Sequence, residues 1–272
     1  MTDRYAVIGN PVAHSKSPQI HTEFARQTGQ DIGYVALLAP LEGFVATVEQ
    51  FRACEGKGLN VTVPFKQEAW KLATHLTERA RLAQAVNTLK FETDGATLGD
   101  NTDGAGLVRD IRENLGLAIA AKRVLLLGAG GAARGVLLPL LEQRPAALFV
   151  ANRTAGKAVE LVQQFGGKGS LEGGGYGDLA GQQFDLVINA TSSSLNDDLP
   201  PLPPGVFGLR ALAYDMMYGK GLTPFLRFAQ EQGAARLADG LGMLVEQAAE
   251  SFYLWRGVRP KTAAVIEMFK VG

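Results

Sequence analysis

The apolar positions of this chain follow two rhythms. Short apolar runs at residues 5–9, 34–39, 58–63, 123–127, 148–151, 185–188 and 212–214 read as strands. Between them lie stretches with apolar residues at helical spacing: 18–28, 41–53, segments up to Ala85, 103–115, a stretch ending at Glu142, and 155–165. Two more, 241–255 and about 262–270, close the chain. Ser17 is placed to cap the first helix, Pro18 suits its first turn and Gly29 its end. Two short strands flank the turn signal Asp94-Gly95. Glycine-rich 166–181 and proline-rich 200–204 read as loops. Such alternation predicts an α/β fold with parallel sheets. The pattern restarts more regularly near Ala121, which places a domain boundary in the helix 103–115 or just after it.

One strand breaks the apolar rule. In Asn60-Val61-Thr62-Val63-Pro64-Phe65-Lys66, a two-residue period puts Asn60 and Thr62 on one face and the two valines on the other. Pro64 ends the strand and Lys66 falls in the first turn of the next helix, where the helix dipole opposes a cation. An amide, a hydroxyl and an amine at one strand tip suit a small polar ligand. His14-Ser15-Lys16-Ser17-Pro18 adds two hydroxyls able to donate to a carboxylate, with capping by Ser17 as the plainer reading. Asp103, in Asp100-Asn101-Thr102-Asp103-Gly104, is read locally as an N-cap and functionally as a proton-handling partner of Lys66.

Gly128-Ala129-Gly130-Gly131-Ala132-Ala133 follows a strand and opens a helix, the context in which a glycine turn receives a dinucleotide pyrophosphate. The next strand ends in Asn152-Arg153-Thr154, with Lys157 one turn on and no carboxylate to meet a free ribose hydroxyl. Arg153 suits a 2′-phosphate, so the expected cofactor is NADP and not NAD.

Composition narrows the setting. The 272 residues are 46% hydrophobic and carry 27 basic and 27 acidic side chains, so no global field draws the chain to nucleic acid or an anionic membrane. No apolar run reaches membrane-spanning length and no signal peptide leads the chain, so a cytoplasmic protein is expected. The single Cys54 excludes an intrachain disulfide and reads as a small buried residue. His14, His21 and His75 lack metal-ligand spacing, so no metal is expected and a structural or surface role is. Trp70 and Trp255 read as buried apolar area. Nothing encodes an interface, leaving a monomer or a homodimer.

Together these motifs resemble the shikimate dehydrogenases. The matching pieces are Ser15-Lys16-Ser17-Pro18, Gly58 through Lys66, Ala85-Val86-Asn87-Thr88, Gly99 through Gly104, Gly128 through Ala133, and Asn152-Arg153-Thr154. They continue with Asn189-Ala190-Thr191-Ser192, Tyr214 through Tyr218, and Asp239 through Leu244 followed by Gln247, in family order over nearly the whole chain. The resemblance implies a substrate domain of residues 1–103 plus 238–272 and a Rossmann-like NADP domain of residues 104–237, with the chemistry in the cleft between them. It implies that Ser15 and Ser17 hold the substrate carboxylate, and that Asn60, Thr62, Asn87, Asp103 and Gln247 bind the ring hydroxyls. Tyr218 would help close the site, and Lys66 with Asp103 would be the catalytic pair. Gly128, Ala129, Gly130, Gly131 and Ala132 would cradle the pyrophosphate, and Asn152, Arg153, Thr154 and Lys157 the adenosine 2′-phosphate. Met216, Gly240 and Met243 would border the nicotinamide. The implied reaction is reduction of 3-dehydroshikimate to shikimate in chorismate and aromatic amino acid biosynthesis. Ser194 stands where family members carry glycine, which puts that loop's geometry in question if it needs positive φ. A quinate/shikimate dehydrogenase with looser cofactor use is the near alternative, disfavoured by Arg153. A catalytically silent NADP-binding regulator is disfavoured by the presence of both Lys66 and Asp103.

Overall fold

The computed structural model describes residues 2–166, 170–191 and 199–270. The chain forms two compact units, Met1–Gly106 with Leu244–Gly272, and Leu107–Met243.

The first unit is built on a six-stranded mixed sheet of β1 (Asp3–Gly9), β2 (Ile32–Leu38), β3 (Gly56–Val61), β4 (His75–Leu76), β5 (Thr88–Phe91) and β6 (Thr97–Asp100), in the order β2-β1-β3-β5-β6-β4. The β1–β2 and β1–β3 pairs are parallel; β5 is antiparallel to both its neighbours. The sheet is mixed where the alternation of elements predicted parallel pairing, and the Asp94-Gly95 turn signal is the β5–β6 hairpin expected of it, too tight for a crossover. Strand β1 is apolar on both faces because both are covered. Ala6 and Ile8 join a core with Phe44, Val48 and Phe51 of α2 (Phe44–Ala53), while Tyr5 and Val7 pack with Tyr34 and Trp255. Beside the latter, α1 (Ser17–Thr28) and the two closing helices, α9 (Leu241–Arg256) and α10 (Ala263–Lys270), share a third core through Ile20, Phe24, Val245, Phe252 and Val265.

The second unit has a wholly parallel sheet. Its strands β7 (Arg123–Leu127), β8 (Ala147–Ala151), β9 (Leu171–Gly174), β10 (Phe184–Asn189), β11 (Phe207–Asp215) and β12 (Arg236–Ala238) lie in the order β12-β11-β10-β7-β8-β9. This is the doubly wound Rossmann order, and it reverses between β7 and β10, the switch point outside whose strand ends such sheets bind ligands. Helices α6 (Gly131–Glu142), α7 (Ala155–Gln164) and α8 (Pro224–Glu231) complete the layers.

Several local expectations need correction. The glycine-rich stretch read as a loop holds edge strand β9, whose glycines let α7 lie close: a Cβ on Gly173 would stand 2.8 Å from Ala158 O. Helix α8 was not foreseen although Thr223 caps it and its apolar Phe225, Leu226 and Ala229 recur at helical spacing; strand β12 was not foreseen either. The helix expected over 103–115 is α5 (Asp103–Arg109) followed by a π-helical turn, Asp110–Asn114. Cys54 is exposed at the end of α2, not buried. Among the described residues no helix is long and apolar enough to cross a membrane.

Candidate active site

The polar strand tip sits differently from its two-residue period. Strand β3 ends at Val61, so Thr62 and Val63 leave the alternation; Val63 is exposed, and Thr62 lies with its methyl against Gly9. The chain turns through Pro64 and Phe65, and α3 (Lys66–Leu72) begins at Lys66. The cation that helix stability cannot explain is met there by a carboxylate: Lys66 Nζ lies 2.6 Å from Asp103 Oδ2. The other carboxylate oxygen of Asp103 accepts from Asn87 Nδ2 at 2.7 Å. Asp103 is thus held by side chains from the start of α3 and from the residue just before β5, and the local N-cap reading does not hold. The residues before it lock its approach: Asn101 Oδ1 accepts the Asp103 N–H, and Asp100 is paired to Arg79 from the short helix α4 (Glu78–Ala83). Burial pulls the Arg79 pKa down, but Asp100 and then Glu250 outweigh it and the net shift is upward, so the guanidinium stays charged.

Behind this pair runs a buried polar line. Asn87 Oδ1 accepts from the Thr102 N–H at 2.9 Å, which fixes its Nδ2 toward Asp103. Asn60 donates through Nδ2 to Ser251 Oγ at 2.9 Å and accepts through Oδ1 from the Tyr34 hydroxyl at 2.7 Å. Burial raises the Tyr34 pKa well above 10, with the neighbouring Ser17 hydroxyl opposing it, so the phenol stays protonated. Gln247, half-buried on α9, offers Oε1 at 3.4 Å to both Asn87 and Thr102. Helices α5 and α9 come close enough for this because residue 106 is glycine: a Cβ there would lie 2.6 Å from the Gln247 nitrogen. At the start of α1 it is Ser15, not Ser17, that serves the backbone, its Oγ accepting from the Ser17 N–H at 3.2 Å; the Ser17 hydroxyl is left to the interior. The structure therefore gathers Ser17, Asn60, Lys66, Asn87, Asp103 and Gln247 into one polar array, with Ser15 at its rim and Thr62 outside its hydrogen bonds. Tyr34, Thr88, Thr102 and Ser251 belong to it and were not assigned from the sequence. Ser251 was findable, since it lies one helical turn after Gln247 on the same face.

In the second unit β7 runs into the glycine turn at the switch point. Gly128 has φ +105°, and a Cβ on it would meet Thr191 and the Ala190 carbonyl within 3.3 Å, so glycine is required there. A Cβ on Gly130 or Gly131 would meet nothing within 4 Å, which leaves open space at the first turn of α6. Ala129 is buried, Ala132 is exposed beside that space, and the fully buried Ala133 lets α6 pack down. At the end of β8, Asn152 donates to the Thr154 carbonyl, and Arg153 and Lys157 are exposed at the start of α7 with no carboxylate at the strand end. This open, cationic strand end fits the phosphates of NADP. Asp215, at the end of β11, accepts from Asn189, Thr223 and the Met217 N–H, tying the Asn189–Thr191 turn to the segment Met216–Tyr218. Gly240 packs on the Met216 carbonyl, Met243 is buried and Tyr218 is exposed. Ser192 and Ser194 lie outside the described residues, as does any effect of the latter on the loop.

Comparison with known proteins agrees with this arrangement. A model described as the shikimate dehydrogenase substrate binding domain matches residues 7–89, one described as shikimate / quinate 5-dehydrogenase matches 110–196, and one for the shikimate 5′-dehydrogenase C-terminal domain matches 240–267. A curated protein of Nitrosospira multiformis, named shikimate dehydrogenase (NADP(+)), is 67% identical over 99% of this chain and 98% of its own. The chain belongs to the shikimate dehydrogenase family. Its structural likeness is as broad. An Ael1 enzyme from Pseudomonas putida superposes with a TM-score of 0.93 at 56% identity, covering 98% of this chain and 97% of that one. The Thermus thermophilus shikimate 5-dehydrogenase, solved with NADP(H) and shikimate, gives 0.86 at 31% identity with 99% of each chain covered. This chain has the two halves of that fold, an N-terminal α/β unit on a mixed sheet and a Rossmann-like unit on a parallel one.

Proposed function

We propose that this protein is an NADP-dependent shikimate dehydrogenase that interconverts 3-dehydroshikimate and shikimate. The observation that carries the reading is the contact of Lys66 Nζ with Asp103 Oδ2 at 2.6 Å, beside the Asn87 amide, in a chain that also keeps the cationic strand end of an NADP site. Bound NADP supplies the hydride carrier. In the oxidative direction the substrate's C3 loses a hydride, and its hydroxyl loses a proton to the Lys66–Asp103 pair. In reverse, the Lys66 ammonium stabilises negative charge developing on the carbonyl oxygen and gives up the proton. Asp103 orients Lys66, and Asn87 in turn holds Asp103 in place. The Ser15 and Ser17 hydroxyls at the start of α1 suit the ring carboxylate, helped by the positive end of that helix. Asn60, Thr62, Asn87 and Gln247 take the ring hydroxyls, and Tyr218 belongs to the site's closure. The exposed, unpaired Cys54 suits a reducing compartment, the cytoplasm.

The test is the near-ultraviolet absorbance change on mixing the protein with shikimate or quinate and with NADP or NAD. Turnover is expected with shikimate and NADP. Folded protein that reduces no cofactor would sink the activity, and strong quinate oxidation with NAD would reassign it.

A further inference from the structure

Two of the amides proposed to line the substrate site are turned in opposite senses, and the buried bonds behind them show why. Asn87 Oδ1 faces inward, where it accepts from the Thr102 N–H at 2.9 Å and lies within reach of the Thr88 and Thr102 hydroxyls at 2.9 and 3.1 Å. Its Nδ2 is thereby turned out to Asp103. Asn60 is turned the other way. Its Nδ2 lies 3.3 Å from the Asn87 carbonyl, which can only accept, so the donor end of this amide is the inner one. The remaining inner contacts of that nitrogen are Thr88 Oγ1 at 3.2 Å and Ser251 Oγ at 2.9 Å, the shortest of the three. The Asn60 oxygen, bonded on one side to Tyr34, keeps its second lone pair for a ligand hydroxyl.

Ser251 is where these two orientations meet. It is fully buried on α9, 191 residues from Asn60 in the chain. Its hydroxyl has one proton, which the helix carbonyl of Gln247 can take at 3.1 Å. Its oxygen then accepts from Asn60 and from Thr88, 2.7 Å away, leaving the Thr102 hydroxyl, 3.2 Å away, free to donate to Asn87. Of the three acceptors around the two Asn60 amide hydrogens, Ser251 Oγ is the nearest. An alanine would leave the Asn60 amide with only its two longer acceptors, Thr88 Oγ1 and the Asn87 carbonyl, and weaken the restraint on a flip of the whole amide.

We propose that Ser251 is a positioning residue for substrate recognition: it holds the Asn60 amide with its nitrogen inward and its oxygen toward the substrate. Asn60 then offers an acceptor to a ligand hydroxyl, while both Asn87 amide hydrogens are held within the protein by Asp103 and Thr102. This rests on the reading of the first unit as the shikimate-binding one.

The test is Ser251→Ala, with shikimate binding measured by calorimetry without cofactor and steady-state constants measured alongside wild type. The expected result is a roughly tenfold rise in Kd and KM for shikimate, the equivalent of one well-placed hydrogen bond, with KM for NADP within about twofold of wild type. In an Asn60→Ala background, Ser251→Ala is expected to add less than about twofold. A shikimate KM and Kd within twofold of wild type, with only a lowered melting temperature, would make Ser251 purely structural and overturn the inference. Equal, additive effects in both backgrounds would overturn the route through Asn60. Should the alanine variant fail to fold, Ser251→Cys keeps the shape with a poorer acceptor and is judged by the same criteria. Wild-type protein that neither binds nor oxidises shikimate would overturn the functional reading and this inference with it; an active wild type with an unchanged variant overturns the inference alone.

Discussion

Acid should loosen the first unit through one residue, His21. Its imidazole is fully buried in α1, stacked on Tyr34 at 4.2 Å and 6°, with Phe24, Phe252 and Trp255 around it. Neither ring nitrogen has a hydrogen-bond partner among the described residues. Burial drives its pKa down from 6.5 to about 3, with the neighbouring Asn60 opposing weakly. The sign follows from proton uptake. Between pH 6.5 and 3 the unfolded chain binds a proton at this site and the folded chain does not, so stability is full above 6.5 and falls as pH drops toward 3. From pH 7.5 to 4.5 the unfolded state gains about two decades in protonation, worth about 2.7 kcal/mol at 1.36 kcal/mol per decade. The titratable group facing His21 is the Tyr34 phenol, whose raised pKa keeps it neutral throughout. The assay is urea unfolding of wild type and His21→Phe, followed by tryptophan fluorescence. Trp70 and Trp255 both lie in the first unit, so the signal reports that unit alone. Subtracting the variant from the wild type cancels the other carboxylate titrations. The difference should grow by about 2–3 kcal/mol between pH 7.5 and 4.5. Parallel pH curves for the two proteins would refute the reasoning.

Two further outcomes test the chemistry. Lys66→Ala should lower kcat by roughly 10²- to 10⁴-fold with little change in shikimate KM, because the amine acts on charge that develops in the transition state; steady-state kinetics with an unchanged kcat would remove Lys66 from the chemical step. Arg153→Ala should raise KM for NADP about 10- to 100-fold, the equivalent of one charge-assisted phosphate contact, and leave KM for NAD nearly unchanged; an equal loss for both cofactors would place Arg153 away from the 2′-phosphate.

Much of the fold was legible because its signals are local. Gly29 ends α1 with φ +65°, a conformation glycine adopts freely, and Asp94-Gly95 makes the β5–β6 hairpin. The apolar run Arg123–Leu127 is the buried parallel strand its composition implies, and the glycine turn after it lies at the switch point. The candidate site was legible as a set of residue types, since charge placement flagged Lys66 and the missing carboxylate after β8 flagged NADP. The failures share one cause. Thr62 was paired with Asn60 by assuming that the strand ran on, but β3 ends at Val61, and although the Thr62 N–H still donates to Ile8 its methyl lies against Gly9. Asp103 looked like a helix cap because capping is decided within four residues, whereas its actual partners are Lys66 of α3 and Asn87 just before β5. Cys54 looked buried because cysteine usually is, yet it sits past the last covered turn of α2.

The sequence by itself determined the alternation of elements, the position of the glycine turn, the cation that no helix would choose, and the family. Only the tertiary structure decided which amide end faces inward at Asn60 and Asn87, and that Ser251, from the far end of the chain, stands between them. The reason is physical: periodicity and propensity act over a few residues, while the direction of a hydrogen bond is fixed by a partner. Here the partners are brought together by the β3–β5 register, which sets Asn60 opposite Thr88, and by the packing of α9, which places Ser251 behind both.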